Sequence, residues 1–260
     1  MSYRYKFRKN NRHKENEMKK KLRICAILIA VFMVVGMIPQ TAVLADEADD
    51  QKVICIDPGH QRHANLSQEP IGPGASETKY KVTGGASGCV THVPEYKLVL
   101  RVSKKLRREL KNRGYKVIMT RTTHDVNISN AERAKIANDA GADVFIRIHA
   151  NSDDSSSVKG ALTCAPSSSN RYLSKRVRRR SQKLSKQVLN SFCAATGARN
   201  RGVMYTDAMS GINWCTVPVT IMEMGFMSNP EEDRLMEDAD YQDKMVKGMA
   251  DGIDAFLGNS

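Results

Sequence analysis

Three stretches of the sequence place imidazole or carboxylate side chains at the ends of short apolar runs. They are DPGH at residues 57–60, IRIHAN at residues 146–151 and EMGF at residues 223–226. A fourth carboxylate, Glu95, follows Pro94 in the first turn of a predicted helix. A catalytic zinc ion commonly uses three protein ligands, for example two imidazoles and one carboxylate. His60, Glu95 and His149 are therefore our candidate metal ligands.

Glu223 is the candidate for proton transfer. Three protein ligands leave the fourth position of zinc for a water molecule, whose pKa the metal lowers to about 7. Hydrolysis also needs a group that takes a proton from water and delivers it to the leaving atom, and Glu223 lies outside the proposed ligand set. The spacing alone is not diagnostic, because each residue comes from a different element. His63 is an alternative ligand, but a helix holds Glu95 in place more rigidly.

Further polar residues in these stretches are candidates for supporting roles. Asp57 is predicted to orient a ligand imidazole, since metal-bound histidines commonly donate their other ring N–H to an oxygen. Arg147 lies two residues before His149, so both side chains point to the same face of the strand. Its guanidinium could pair with a substrate carboxylate or with Glu223, or could alter local packing. Asn151 is a further candidate for contact with a ligand side chain or with substrate.

The alternation of apolar runs and amphipathic helices predicts the fold. We expect strands near residues 53–57, 116–119, 144–148, 160–164 and 217–222, with helices between them and after them. One long helix is expected at about residues 171–195. This order favours a single α/β domain at residues 46–260, with a twisted, mostly parallel sheet, helices on both faces and ligand chemistry at the carboxyl ends of the strands. The long Gly/Ser-rich segment between His60 and Glu95 is expected to border the cleft.

The first 45 residues are typical of an export signal. Ten Lys or Arg and two Asp or Glu precede an apolar run at residues 24–38, and small side chains follow as far as Ala45. We favour cleavage after Ala45 and secretion, with a retained membrane anchor as the alternative. Of the formal charge of +13, eight units lie before Asp46, which leaves +5 for the remainder. That remaining charge is too diffuse to indicate nucleic acid as a partner.

The basic stretch at residues 171–186 is interpreted as a solvated helix face. It carries eight Lys or Arg, but an apolar stripe at helical spacing runs beside them, which argues against nucleic-acid binding. Weak attraction to anionic wall polymers remains open. Cys55, Cys89, Cys164, Cys193 and Cys215 contain no Cys-x-x-Cys pair, so they indicate neither a zinc ribbon nor a full disulfide framework.

The chain from Lys52 to Leu257 resembles the zinc-dependent N-acetylmuramoyl-L-alanine amidases, whose strands end in Asp-Pro-Gly-His, Ser-Ile-His-Ala-Asn and Glu-x-Gly-Phe. Further motifs occur in the family's order: TR at 120–121, Arg133 with AN at 137–138, AD at 142–143, RGV at 201–203 and MSN at 227–229. The resemblance implies zinc held by His60, Glu95 and His149, with Glu223 as catalytic acid and base. It also implies hydrolysis of the bond between N-acetylmuramic acid and L-alanine in peptidoglycan. Arg147 departs from the family's commoner serine.

Two other functions remain compatible with these residues. A peptidase or deacetylase acting on wall fragments would keep the zinc site, but only an amidase releases a free L-alanine amine together with an intact sugar. A wall-binding or regulatory protein on an inactive amidase fold is the non-enzymatic alternative. The presence of all four proposed site residues disfavours it. Oligomeric state is not indicated by the sequence.

Overall fold

The computed structural model describes residues 17–20 and 51–258. The chain divides into two units, residues 1–49 and 50–260, and all elements named below belong to the second unit. The predicted signal or anchor at residues 1–45 lies outside the described residues, apart from one helical turn at residues 17–20. Within the described part of the chain, no helix combines the length and apolarity needed to cross a bilayer.

Eight strands are present in the described residues. In chain order they are β1 (Val53–Pro58), β2 (Asn65–Pro70), β3 (Thr78–Val82), β4 (Lys116–Met119), β5 (Val144–Asn151), β6 (Ala161–Ala165), β7 (Asn200–Tyr205) and β8 (Val219–Phe226). Six of them form one sheet in the order β4-β1-β5-β8-β6-β7. Strands β4, β1, β5 and β8 are mutually parallel, and β6 runs antiparallel to β8. The predicted mostly parallel sheet is therefore confirmed, although β7 was not predicted.

Six helices follow or connect these strands: α1 (Glu95–Asn112), α2 (Asn130–Asp139), α3 (Lys175–Thr196), α4 (Ser210–Asn213), α5 (Pro230–Glu237) and α6 (Ala239–Leu257). Helix α2 begins with a capping box, in which Ser129 accepts from the amide of Glu132 and the Glu132 side chain accepts from Ser129 N. Helix α3 begins four residues later than predicted. Its cap is Ser174, whose hydroxyl accepts from Val177 N.

Helices cover both faces of the sheet, as predicted. Successive strand residues point to opposite faces, so Ile54 and Ile56 pack with α1, α3 and α6, whereas Cys55 packs with α2 and α4. Two glycines of α6 allow it to lie close against α3. A Cβ on Gly252 would stand 2.5 Å from the Cα of Val188, which only glycine tolerates.

The five cysteines within residues 51–258 are free thiols. Cys55 is fully buried in β1. Burial also raises the pKa of the Cys215 thiol to about 12. Cys193 on α3 is only partly buried, and Cys89 is exposed. The buried cysteines, Cys55, Cys164 and Cys215, therefore serve as packing residues.

Strands β2 and β3 form a separate antiparallel hairpin within the segment that joins β1 to α1. The indole of Trp214 donates to Pro70 O, and the Asn213 side chain donates to Ile71 O. On the other strand, Lys79 Nζ donates to Ala208 O over 2.8 Å. The hairpin is thus fastened to the α4 region, in contrast to the unstructured loop that its composition indicated.

Candidate metal centre and catalytic cleft

His60, Glu95 and His149 converge on one point at the carboxyl edge of the sheet. Their potential ligand atoms all lie within 4.8 Å of one another. His60 follows β1, His149 lies near the end of the adjacent β5, and Glu95 is the first residue of α1. His63 is exposed and does not belong to this group. The structure therefore brings together the three residues predicted as ligands.

The orientation of the His60 ring is set by the segment before α1. Nδ1 lies 2.9 Å from the carbonyl oxygen of Thr83, so Nδ1 carries the proton and donates to that carbonyl. The other nitrogen, Nε2, is then a free electron-pair donor, and it lies 3.2 Å from Glu95 Oε2. His60 itself has φ +55°, an uncommon conformation for a residue with a side chain. Such local strain is typical of functional sites.

Glu95 is held by backbone amides as well as by the two rings. Its Oε1 accepts from Ala150 N at 3.0 Å, and its Oε2 accepts from Ala86 N at 2.9 Å. Burial alone would raise the pKa of this carboxyl, but its contacts with the rings of His149 and His60 hold the pKa well below its usual range. Glu95 is therefore an ionised, immobile carboxylate at the centre of the group.

His149 presents Nδ1 to the group. This atom lies 3.1 Å from Glu95 Oε1 and 3.2 Å from His60 Nε2. Its Nε2 is buried and has no hydrogen-bond partner among the described residues. Burial lowers the pKa of the ring and so favours neutral imidazole, the form that binds metal ions. The ring fits because residue 59 is glycine, where a Cβ would stand 2.3 Å from it.

Glu223 stands beside this group, on β8, opposite His149 in the strand register. It lines a cleft of about 280 Å³ together with both histidines and Arg147. Burial raises the pKa of Glu223 to about 8, the negative charge of Glu95 adds to the effect, and the positive charge of Arg147 opposes it. A carboxyl with this pKa can exchange protons near neutral pH.

Asp57 does not orient a ligand imidazole, in contrast to its prediction. The carboxylate is fully buried and accepts from Arg133 Nη1 at 2.7 Å, from Arg147 Nε at 2.8 Å and from the hydroxyl of Thr120. Burial would raise its pKa, but the charges of Arg133 and Arg147 hold the pKa well below its usual range. At His60, the oxygen that receives Nδ1–H belongs to Thr83 instead.

Arg147 pairs with Asp57 and not with Glu223, so one of the predicted alternatives is wrong. Its Nη2 also donates to Asn130 Oδ1 at 2.6 Å. The Nη1 edge packs against Gly211, where an added Cβ would stand 1.6 Å from Nη1. Arg147 therefore forms the floor of the cleft in a fixed orientation.

Asn151 lies outside the cleft. Its side chain accepts from Ser152 N, and its carbonyl oxygen accepts from Met227 N. These contacts join the ends of β5 and β8, and Asn151 does not appear among the residues that line the cleft. The structure thus places Asn151 in a local structural contact, away from the converging side chains.

The hairpin borders the cleft, as the composition of its segment indicated. Lys79, Tyr80, Val82 and Thr83 line the cleft, and so do residues 208–211. The supporting groups at Thr83, Ala86 and Ala150 were missed because they are backbone atoms, which have no sequence signature. Only Gly85, which lies between Thr83 and Ala86, indicated a close approach to the backbone.

Comparison with known proteins identifies the family. A model of the N-acetylmuramoyl-L-alanine amidase family matches residues 54–255. Amidase LytC of Bacillus subtilis is 28% identical over 225 residues, which cover 85% of this chain and 39% of LytC. Amidase AmiA of Escherichia coli is 24% identical over 248 residues, which cover 82% of this chain and 78% of AmiA. The chain thus spans about two fifths of LytC and about three quarters of AmiA.

Solved structures agree with this match. Ami1, an N-acetylmuramyl-L-alanine amidase of Mycobacterium smegmatis, gives a TM-score of 0.72 at 22% identity, over 80% of this chain and 98% of its own. The catalytic domain of the amidase CwlV of Bacillus (Paenibacillus) polymyxa gives a TM-score of 0.64 at 27% identity, over 81% and 100%. The likeness to Ami1 shows the shared fold. Because the family model also covers most of the chain, including all four converging residues, the chain belongs to the N-acetylmuramoyl-L-alanine amidase family.

Proposed function

We propose that this chain hydrolyses the amide bond between N-acetylmuramic acid and L-alanine in peptidoglycan. Membership of the family and the amidase names of LytC and AmiA support this activity. The observation that carries the proposal is the convergence of His60, Glu95 and His149, with the protonatable carboxyl of Glu223 beside them in the same cleft.

The proposed metal is zinc, held by His60, Glu95 and His149. His60 Nε2 and His149 Nδ1 lie 3.2 Å apart. At this distance the lone pairs of two unprotonated nitrogens repel each other, so a proton or a metal ion must lie between them. The hydrogen bond to Thr83 O assigns the His60 proton to Nδ1, which leaves Nε2 as a donor to a metal. Two imidazoles and one carboxylate match a hydrolytic zinc site. Zinc bound there supplies Lewis acidity and lowers the pKa of a water molecule.

Glu223 is proposed as the group that moves protons. It takes a proton from the attacking water and then delivers it to the L-alanine nitrogen as the carbon–nitrogen bond breaks. The raised pKa of Glu223 supports this role, because the carboxyl can both accept and donate near neutral pH. Proton transfer of this kind contributes about 10²- to 10⁴-fold to a reaction rate.

Asp57, Arg133 and Arg147 are proposed to hold the strand ends that carry the ligands. Arg133 donates to Pro58 O at 2.9 Å and to His60 O at 3.1 Å, while it is paired with Asp57. Arg147 joins the same carboxylate from β5, two residues before His149. The buried ion pairs thus fix the backbone on both sides of the metal ligands.

Mass spectrometry of digested peptidoglycan tests the proposed bond. An amidase leaves intact N-acetylmuramic acid and a free L-alanine amine, and chelation of the metal should abolish both products. Cleavage within the stem peptide, or loss of an acetyl group from the sugar, would instead identify a peptidase or a deacetylase. A zinc-loaded protein that releases no product from walls would favour the non-enzymatic alternative.

The site of action is proposed to be the cell wall outside the membrane. The basic and apolar order of residues 1–45 supports export, and cleavage after Ala45 remains a prediction, with a retained anchor as its alternative. N-terminal sequencing of protein recovered from the culture medium and from membranes decides between them. A mature chain that begins at Asp46 indicates cleavage, whereas an intact N-terminus in the membrane fraction indicates an anchor.

A further inference from the structure

Helix α3 exposes a surface made of basic side chains. Five residues between Lys175 and Lys186 are exposed, and all of them are Lys or Arg: Lys175, Arg176, Arg179, Lys183 and Lys186. Their spacing of three and four residues places four of them, from Arg176 onward, along one side of the helix. At 1.5 Å per residue this row is about 15 Å long. We call these five residues the α3 basic face.

No carboxylate in the described part of the chain pairs with this face. The sequence contains no Asp or Glu between Asp154 and Asp207, although it contains eleven Lys or Arg there. None of the five residues forms an ion pair with another described residue. Lys175 and Arg176 also stand in the first turn of α3, where positive charge is unfavourable to the helix dipole. The helix keeps these cations in spite of that electrostatic cost.

Some basic residues elsewhere in the described part of the protein form ion pairs. On α1, Arg101 bonds Glu237 and Lys105 bonds Asp243. Two cations of α3 outside the basic face also have structural contacts, since Arg178 donates to backbone oxygens and Arg180 lies over the ring of Phe256. Within the α3 basic face, Lys183 Nζ also lies 5.8 Å from the centroid of the Phe256 ring. No ion pair with another described residue neutralises the five charges, so they are available to a partner.

The α3 basic face lies away from the catalytic cleft. Beside it, Ser181 accepts from Val219 N and Ser185 donates to Thr220, at the start of β8, whereas Glu223 stands near the other end of that strand. The apolar side of α3, including Leu184 and Val188, is buried against the sheet. Substitutions on the basic face should therefore leave the cleft and the core unchanged.

We propose that the α3 basic face binds a linear phosphodiester polymer of the bacterial envelope. A straight row of cations matches a chain of evenly spaced anions, and the guanidinium groups of Arg176 and Arg179 suit phosphate because they offer paired donors. A helix that enters a lipid surface needs an exposed apolar side, and that side of α3 is buried. The choice of an envelope polymer as the partner rests on the proposed function. The assignment of the α3 basic face as an anion-binding surface does not.

The probe is poly(glycerol phosphate) of defined length, with binding to the intact protein measured by calorimetry at 50 and 200 mM salt. The test variant replaces Arg176, Arg179, Lys183 and Lys186 by Gln. The control variant replaces Lys104, Arg107, Arg108 and Lys111 on α1 by Gln, which removes the same number of positive charges. Wild-type affinity should fall on the order of tenfold or more between the two salt concentrations, because the contacts are electrostatic.

The α3 variant should bind the polymer about tenfold or more weakly than wild type, with a weaker salt dependence, and the α1 control should bind like wild type. Equal losses in the two variants would overturn the proposal. Tighter binding to phosphatidylglycerol vesicles, or to single-stranded DNA of equal charge, would overturn the assignment of the partner. Turnover of a soluble muramoyl peptide should stay unchanged in both variants, so loss of polymer binding is distinguishable from failure of the amidase proposal.

Discussion

His149 and Glu223 are direct neighbours across the parallel strands β5 and β8. Side chains at paired positions of adjacent strands point to the same face of the sheet, about 4.8 Å apart at the backbone. The register between the two strands therefore places a carboxyl beside the converging ligands without including it among them. A shift of one residue would turn Glu223 to the other face, so the strand pairing itself separates the proposed proton-transfer residue from the proposed metal ligands.

Replacement of Glu223 by Gln should abolish proton transfer and preserve metal binding. The amide keeps the shape of the side chain but cannot accept the proton from water. We expect a loss of turnover of at least about a hundredfold, with zinc content unchanged by atomic absorption. Turnover close to wild type would reject Glu223 as the acid and base.

The matched control for this variant is Glu231→Gln. Glu231 undergoes the same chemical change but lies at the surface, paired with Lys159 at 2.8 Å. Because fully exposed ion pairs contribute little to stability, this substitution should leave turnover and stability close to wild type. A large loss in the control would indicate that the measured effect is not specific to the cleft.

Substitution of any one proposed ligand should remove the metal. His60→Ala, Glu95→Gln and His149→Ala should each lower zinc affinity by more than the roughly 10- to 100-fold that loss of a supporting hydrogen bond costs. His63→Ala is the control, since His63 is exposed and outside the group. Competition with a fluorescent chelator measures each affinity. A zinc affinity that falls only in His63→Ala would assign the ligand set to the alternative histidine.

Two adjacent glycines offer a test of the supporting segment. A Cβ on Gly85 would stand 2.7 Å from Glu95 Oε2 and 2.9 Å from the His60 ring, and the backbone there has φ +79°. Gly85→Ala should therefore displace both side chains and weaken zinc binding and turnover together. Gly84→Ala meets no atom within 4 Å and should behave like wild type in both assays. Equal behaviour of the two variants would contradict a tight fit at Gly85.

The positions of three of the four site residues were predictable because they follow apolar strands. Parallel strands present their carboxyl ends at one edge of the sheet, so His60, His149 and Glu223 had to lie near that edge once the strands were identified. The apolar runs before them are strong signals of buried strands. Glu95 was placed by its position at the start of an amphipathic helix.

The contact between Asp57 and Arg147 was not predictable. The two residues are 90 positions apart in the sequence, and their pairing depends on which strands are neighbours in the sheet. Strands β2 and β3 were missed because their residues are mostly polar and exposed. In β3, Tyr80 and Val82 do alternate with Lys79 and Lys81, but the strand has only five residues. Strand β7 contains Asn200, Arg201 and Gly202 and gives a similarly weak signal. Local sequence does not encode such long-range contacts.

The raised pKa of Glu223 predicts a pH dependence of stability in the metal-free protein. Its ordinary pKa is 4.5, and the folded protein raises it to about 8. Between these values the unfolded chain releases the proton while the folded chain retains it, so this group lowers stability as pH rises from about 4.5 to about 8. In urea unfolding with chelator, wild type should lose more stability between pH 5 and pH 8 than Glu223→Gln does. The histidines contribute equally to the pH dependence of both proteins, so the difference between wild type and Glu223→Gln isolates the contribution of Glu223. An identical pH dependence of stability in the two proteins would refute the raised pKa.

Arg147 and Gly211 should be energetically coupled, because glycine leaves the space that the guanidinium occupies. A Cβ at residue 211 would stand 1.6 Å from Nη1, and hydrogen bonds to Asp57 and Asn130 prevent the guanidinium from moving aside. Gly211→Ala alone should therefore cost about 1–3 kcal/mol of unfolding free energy, as overpacking does. In an Arg147→Ser background the space is vacated, and the same change should cost much less, which gives a coupling of about 0.5–3 kcal/mol in a double-mutant cycle. Urea unfolding of the four proteins measures it, and an equal cost of Gly211→Ala in both backgrounds would show that Arg147 does not fill this position.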